Sequence, residues 1–167
     1  MSVLPILTWP DRQLATPCEP IARVDAAVRK LAEDMLETMY AAPGRGLAGP
    51  QVGVLRRIFV MDAGWKEGAP APLVFVNPVV TALGKSRVRG SEGCLSIPGL
   101  MVEVERFERV RVDWTDLDGA ARSREFDGFE AICVQHEADH LDGIVTLNRL
   151  DQNARAAALA AYEGYAA

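Results

Sequence analysis

Histidine is nearly absent from this chain: its 167 residues include two. Cysteine is scarce too. Cys18, Cys94 and Cys133 are too few and too scattered for a disulfide framework, and they form no C-x-x-C pair. Basic residues are not in excess. The net charge of −5 leaves no global positive field to gather nucleic acid, so no DNA partner is expected. No apolar run is long enough for a membrane helix. The start, Met1-Ser2-Val3-Leu4-Pro5, lacks the basic region and clean apolar stretch of a signal peptide. These absences point to a cytoplasmic location without membrane attachment, where the cysteines stay as thiols. The length suits one domain with one core, residues 1–167, and 49% hydrophobic with 25% charged residues is the balance of a globular chain.

What histidine there is falls in one place, Gln135-His136-Glu137-Ala138-Asp139-His140. On an α-helix, residues i and i+4 share a face, so both imidazoles can grip one metal ion. Glu137 follows the first histidine, where it can take a proton from a metal-bound water. This is the H-E-x-x-H arrangement of a metal-dependent hydrolase. A chance pattern on a surface helix is the bland alternative. Against it, a mostly apolar run, Phe129 to Val134, leads into the motif and predicts a buried helix.

The rest of the chain reads as follows. Pro5, Pro10, Pro17 and Pro20 forbid a long helix in residues 1–23. Val24, Val28, Leu31, Met35 and Met39 recur at helical spacing and predict a helix over 24–41, the methionines on its core face. Gly44 to Gly53 is glycine-rich but has no P-loop or dinucleotide-binding spacing; its glycines let the backbone approach a ligand. Residues 57–61 and 73–76 read as strands, with a loop over 62–72. Alternation at Val102 and Val104, and at Val110, Val112 and Trp114, predicts half-buried antiparallel strands, and Asp118-Gly119 a hairpin turn. The motif helix spans about 128–141 and stops near Gly143; an alanine-rich C-terminal helix follows, from 151 to 163 and at most to 167.

Two histidines leave a metal in need of a third protein ligand. Downstream stand only Asp142, Asp151 and Glu163, in undistinguished contexts. Upstream, Glu92-Gly93-Cys94-Leu95-Ser96 offers a thiol, and thiolate suits zinc and ferrous iron. Cys94 is the third ligand on this reading, whereas Cys133, inside the apolar run, reads as a buried hydrophobe.

Three segments together resemble the peptide deformylase family: Gly44-Arg45-Gly46-Leu47-Ala48-Gly49-Pro50-Gln51, Glu92-Gly93-Cys94-Leu95-Ser96, and Gln135-His136-Glu137-Ala138-Asp139-His140-Leu141-Asp142-Gly143. The likeness covers about 4–150, in the family's order. It implies an α+β fold, antiparallel sheets surrounding a central helix that carries the histidines. It implies removal of the N-formyl group from N-formylmethionyl peptides or nascent chains, with release of formate. Cys94, His136 and His140 would hold one divalent ion, Fe2+ in the cell, replaceable by Zn2+, Ni2+ or Co2+. Glu137 would be the general base and then the acid. The Gln51 amide and the Leu95 backbone N–H would hold the formyl oxygen, and Gly46 and Arg45 would line the substrate site. Two other readings are a zincin-like metallopeptidase and a catalytically retired metal-binding module.

Three positions depart from the family's pattern. Arg45 stands where Ile or Val is usual. Its stem is expected to form a looser pocket wall, its charge to point outward and to favour an acidic group in the peptide. Met101 stands where Arg is common. The tail from Asp151 has one arginine and two acidic residues, which argues against the ribosome docking of relatives with basic tails.

Overall fold

Phe75 shows how the core is laid down. Its ring stacks on Phe59 with centroids 4.4 Å apart and meets Trp114 at 4.6 Å and Phe126 at 6.0 Å. These side chains come from four strands of one antiparallel sheet. The computed structural model describes residues 1–166, and the strands are β1 (Gly46–Ala48), β2 (Ile58–Met61), β3 (Leu73–Ala82), β4 (Arg87–Cys94), β5 (Ile97–Phe107), β6 (Arg109–Thr115) and β7 (Ala121–Asp127). Five of them form a sheet in the order β1-β2-β3-β6-β7, and β4 with β5 makes a separate two-stranded sheet.

Three helices, α1 (Ala26–Ala41), α2 (Gly128–Leu141) and α3 (Gln152–Ala166), complete the fold. Side chains alternate across a strand, so β2 serves two faces. Phe59 and Met61 pack with Ala131, Val134 and Leu141 of α2, while Ile58 and Val60 pack with Val28, Met35 and Met39 of α1. α3 closes a third cluster against β5, with Ala158 and Tyr162 near Val102 and Val104. The helix with the two histidines thus lies between both sheets and is buried on most of its circumference. This is the α+β architecture that the motifs imply.

Local chemistry sets the element ends. Asp25 caps α1, its carboxylate accepting from Val28 N at 3.0 Å, so the helix begins at Ala26 rather than Val24. Gly143 ends α2 with φ +74, and a Cβ there would meet the Ala15 backbone at 2.8 Å. β3 runs past Pro78, where the 73–76 reading stops. A register shift between Val76 and Val79 takes up the proline, and Asn77, at φ +50, fastens the bulge to the Ile21 backbone by two 2.8 Å bonds. Asp118-Gly119 forms the expected turn between β6 and β7. The C-terminal helix spans Gln152–Ala166; Ala167, the last residue of its expected extent, lies outside the described residues. Among the described residues no helix is long and apolar enough to cross a membrane.

Candidate active site

A cavity of about 680 Å³ opens where β1, the end of β4 and the first turns of α2 meet, with Cys94, His136 and Glu137 on its wall. Three ligand atoms, one each from Cys94, His136 and His140, lie within 4.8 Å of one another. Cys94 ends β4, and its Sγ is 3.4 Å from His140 Nε2. Bonds of about 2.3 Å to sulfur and 2.0–2.1 Å to nitrogen at tetrahedral angles set S and N about 3.5 Å apart, so this donor set fits a divalent ion.

The imidazoles differ because their surroundings differ. His136 Nδ1 donates to Glu92 Oε1 at 2.9 Å, which turns Nε2 toward the cluster. Burial lowers the pKa of His136, but the Cys94 sulfur and the Glu92 carboxylate outweigh it and raise it. His140 has no such acid. Burial, with the charges of His136 and Arg106, drives its pKa well below the ordinary value, leaving it neutral, the form that binds metals.

Glu92 is itself held. Arg106 donates Nε and Nη2 to its two oxygens at 2.9 Å each, and Nη1 to Asp139 at 2.6 Å. Arg149 closes on the same Asp139 at 2.6 and 3.0 Å. Burial pushes the Glu92 carboxyl up, yet the bonds from Arg106 and His136 overcome that and hold it at about 2. An ionic chain therefore runs from Arg149 to the His136 ring. Sequence reasoning missed Arg106 and this use of Glu92 and Asp139. Both acids lie inside the quoted motifs, but their meeting at Arg106 joins three distant segments and leaves no local signal.

Glu137 is buried, and its Oε2 has no hydrogen-bond partner among the described residues. Burial lifts its carboxyl to about 7; His136 pulls it down and Glu92 pushes it up. Gly46, at the head of β1, leaves room for it. Gln51 sits in the short turn Gly49–Val52 between β1 and β2. Its Oε1 accepts from Ala48 N at 2.9 Å, which fixes the amide so that Nε2 points the other way, 3.1 Å from Ser96 Oγ and 3.7 Å from Cys94 Sγ. Ser96, fully buried, is a second residue that sequence reasoning did not single out. Leu95 lines the same cavity.

The expected site residues thus come together, with two corrections at the rim. Phe129 does not join the buried core of its run; it is half-exposed and lines the mouth of the cavity, because α2 begins there. Arg45 does not offer a free charge to a peptide acid, because the chain's own Glu67 meets it with bonds of 2.8 and 2.6 Å. Met101 is exposed at the rim opposite Gly93. Cys133 is buried, as its place in the run predicts, with Sγ 3.9 Å from Arg45 O.

The same sequence pattern and fold recur in known proteins. A family model described as polypeptide deformylase matches residues 3–156. The peptide deformylase of Alkalilimnicola ehrlichii is 48% identical over 152 residues, 91% of this chain and 84% of that protein. The crystal structure of peptide deformylase from Ehrlichia chaffeensis in complex with actinonin superposes with TM-score 0.91 at 39% identity, covering 99% of this chain and 98% of the other. That of the Thermus thermophilus enzyme gives TM-score 0.89 at 43% identity, covering 97% and 94%.

Proposed function

The chain belongs to the polypeptide deformylase family, and from that membership we propose its reaction: metal-dependent removal of the N-formyl group from the formylmethionine that begins a newly made polypeptide, with release of formate. The observation that carries the reading is the convergence of the Cys94, His136 and His140 ligand atoms beside the buried carboxylate of Glu137.

Cys94, His136 and His140 would hold one divalent ion, which would supply the Lewis-acid chemistry that makes water a nucleophile at neutral pH. Glu137 takes a proton from the attacking water and passes it to the departing amine nitrogen. Its partnerless Oε2 and raised pKa suit a group that must both accept and give a proton near neutrality. Gln51 Nε2, oriented by the Ala48 N–H, and the Leu95 backbone N–H donate to the formyl oxygen as it gains charge. A donor of this kind is worth about 3–4 kcal/mol. Glu92 fixes the His136 ring, and Arg106 fixes Glu92. Gly46 and Arg45 line one side of the cavity, and the unpaired outer edge of β1 offers backbone groups to an extended peptide.

The ion proposed for the cell is Fe2+, which thiolate and imidazole both accept, with Zn2+, Ni2+ or Co2+ as substitutes. The protein acts as one catalytic domain, 1–167, in the cytoplasm. With one arginine and two acidic residues from Asp151 to Ala167, its C-terminal segment binds ribosomes weakly.

The deciding experiment is anaerobic purification with metal analysis, followed by assay of formate release from formyl-Met-Ala-Ser. Stoichiometric metal and formate release that a chelator abolishes are expected. Protein that holds its metal and releases no formate would return the chain to the retired-module reading.

A further inference from the structure

The cavity wall at Arg45 carries an ion pair with a use of its own. Arg45 lies between Gly44 and Gly46, the glycine packed against Glu137. Its guanidinium stands 5.4 Å from the centroid of the Phe129 ring, and both residues line the cavity. Nη1 and Nη2 donate to the two Glu67 oxygens at 2.8 and 2.6 Å, and Nη1 also donates to the Ala63 carbonyl.

Both ends of this clamp are anchored. Asp62 N donates to Arg45 O at 2.9 Å. Glu67 ends the turn Trp65–Glu67, where Trp65 Nε1 donates to Gly44 O at 2.8 Å and the indole packs edge-on against Tyr40 at 5.2 Å. A bidentate guanidinium–carboxylate pair fixed at both ends holds its geometry better than an ordinary surface pair. The Arg45 bonds keep the Glu67 carboxyl below the ordinary carboxylate range, so the pair stays charged on both sides at neutral pH. The other cation on this wall, Lys66, has no ion-pair partner among the described residues.

We propose that Glu67 masks the charge of Arg45, and that this clamp sets how the cavity discriminates between acidic and basic formyl peptides. Arg45 is the specificity-determining residue and Glu67 its positioning residue. The inference rests on the deformylase reading for its substrate class. With the clamp intact, the pair adds no net charge to the wall. Removing Glu67 bares a cation beside the bound peptide; removing Arg45 bares an anion.

The test uses formyl-Met-Asp-Asp-Ala and formyl-Met-Lys-Lys-Ala on metal-loaded wild type, Glu67→Gln, Arg45→Ile and the double variant. The readout is the acidic-to-basic ratio of kcat/KM, which general damage to the site does not move because it lowers both values together. Glu67→Gln should raise the ratio about three- to tenfold and Arg45→Ile lower it by a similar factor, the scale of one charge at partly solvated range. The double variant should return close to wild type, and 0.5 M salt should shrink every difference. The two single variants act from opposite ends, so failure of one to fold leaves the other decisive. Calorimetric Kd values for the unformylated peptides give the same ratio without turnover. Wild type that releases no formate while the Kd ratios shift as described would overturn the deformylase reading and leave the clamp standing. Equal ratios in all four proteins would overturn the clamp.

Discussion

Glu137 and Gly46 share one place: a Cβ on Gly46 would lie 2.6 Å from Glu137 Oε1 and 3.0 Å from Cys133 Sγ. The first contact is closer than real Cβ atoms come, so any side chain at 46 must displace the carboxylate or the strand that carries it. The glycine is required by the base, not by backbone conformation.

Gly46→Ala should therefore lower kcat about 100-fold, the usual consequence of moving a catalytic group by roughly 1 Å, while metal content stays stoichiometric. Steady-state kinetics with metal analysis checks this. Activity within a factor of three of wild type would show that the carboxylate has room to move.

Removing the base tests the same atom directly. Glu137→Ala leaves all three metal ligands in place and should retain the ion, yet lose about 10²–10⁴ in kcat as proton transfer is lost. A variant with a tenth or more of the activity would exclude Glu137 from the proton path.

The third ligand separates the deformylase from a zincin-like peptidase. Serine is a poor, protonated ligand at neutral pH, so Cys94→Ser should weaken metal binding severely. Full metal content in a folded Cys94→Ser protein would move the third ligand to a downstream carboxylate and revive the peptidase.

How much of this was legible in the sequence follows from distance along the chain. His136, Glu137 and His140 are neighbours on one helix, and Cys94 and Leu95 are consecutive, so contiguous patterns exposed them. α1 and β6 carried clear periodicity, β2 showed as a short apolar run, and α2 was marked by its histidine motif and the apolar run before it. β1 is three residues long, and β4 is mostly polar with Gly90 and Gly93 inside it; neither gives a strand signal without its partner. Arg106 meets Glu92 across 14 positions and Asp139 across 33, and Arg45 meets Glu67 across 22. Those pairings arise from the folding of sheet against helix. Sequence alone could say that the Arg45 charge must stay in water or find a partner, but not that the chain's own Glu67 supplies one.

The buried Arg106 offers the last test, in stability rather than rate. Its side chain is 4% exposed and faces Glu92 and Asp139, which are nearly as buried. Arg106→Met keeps an apolar stem but removes the cation between the two carboxylates, leaving Asp139 with Arg149 and Glu92 with the His136 bond. Breaking a buried pair from one side costs about 3–5 kcal/mol, and that loss is expected at pH 7. The pH dependence identifies the cause. In the wild type the Glu92 carboxyl, at about 2, lies below its ordinary value of 4.5, so its contribution is complete above pH 4.5 and is lost as pH falls toward 2. Between pH 7 and 5 it does not titrate, and it adds no slope there. Without Arg106, burial, the largest influence on this carboxyl, is opposed by His136 alone, and the carboxyl is expected to rise above its unfolded value. The sign then reverses: the folded state takes up a proton first, and stability improves as pH falls from 7 to 5. Urea unfolding of metal-free wild type and Arg106→Met at pH 7, 6 and 5 measures both slopes. A variant that gains nothing relative to wild type on acidification would mean that Glu92 does not depend on Arg106 for its charge, and that the guanidinium contributes through packing alone.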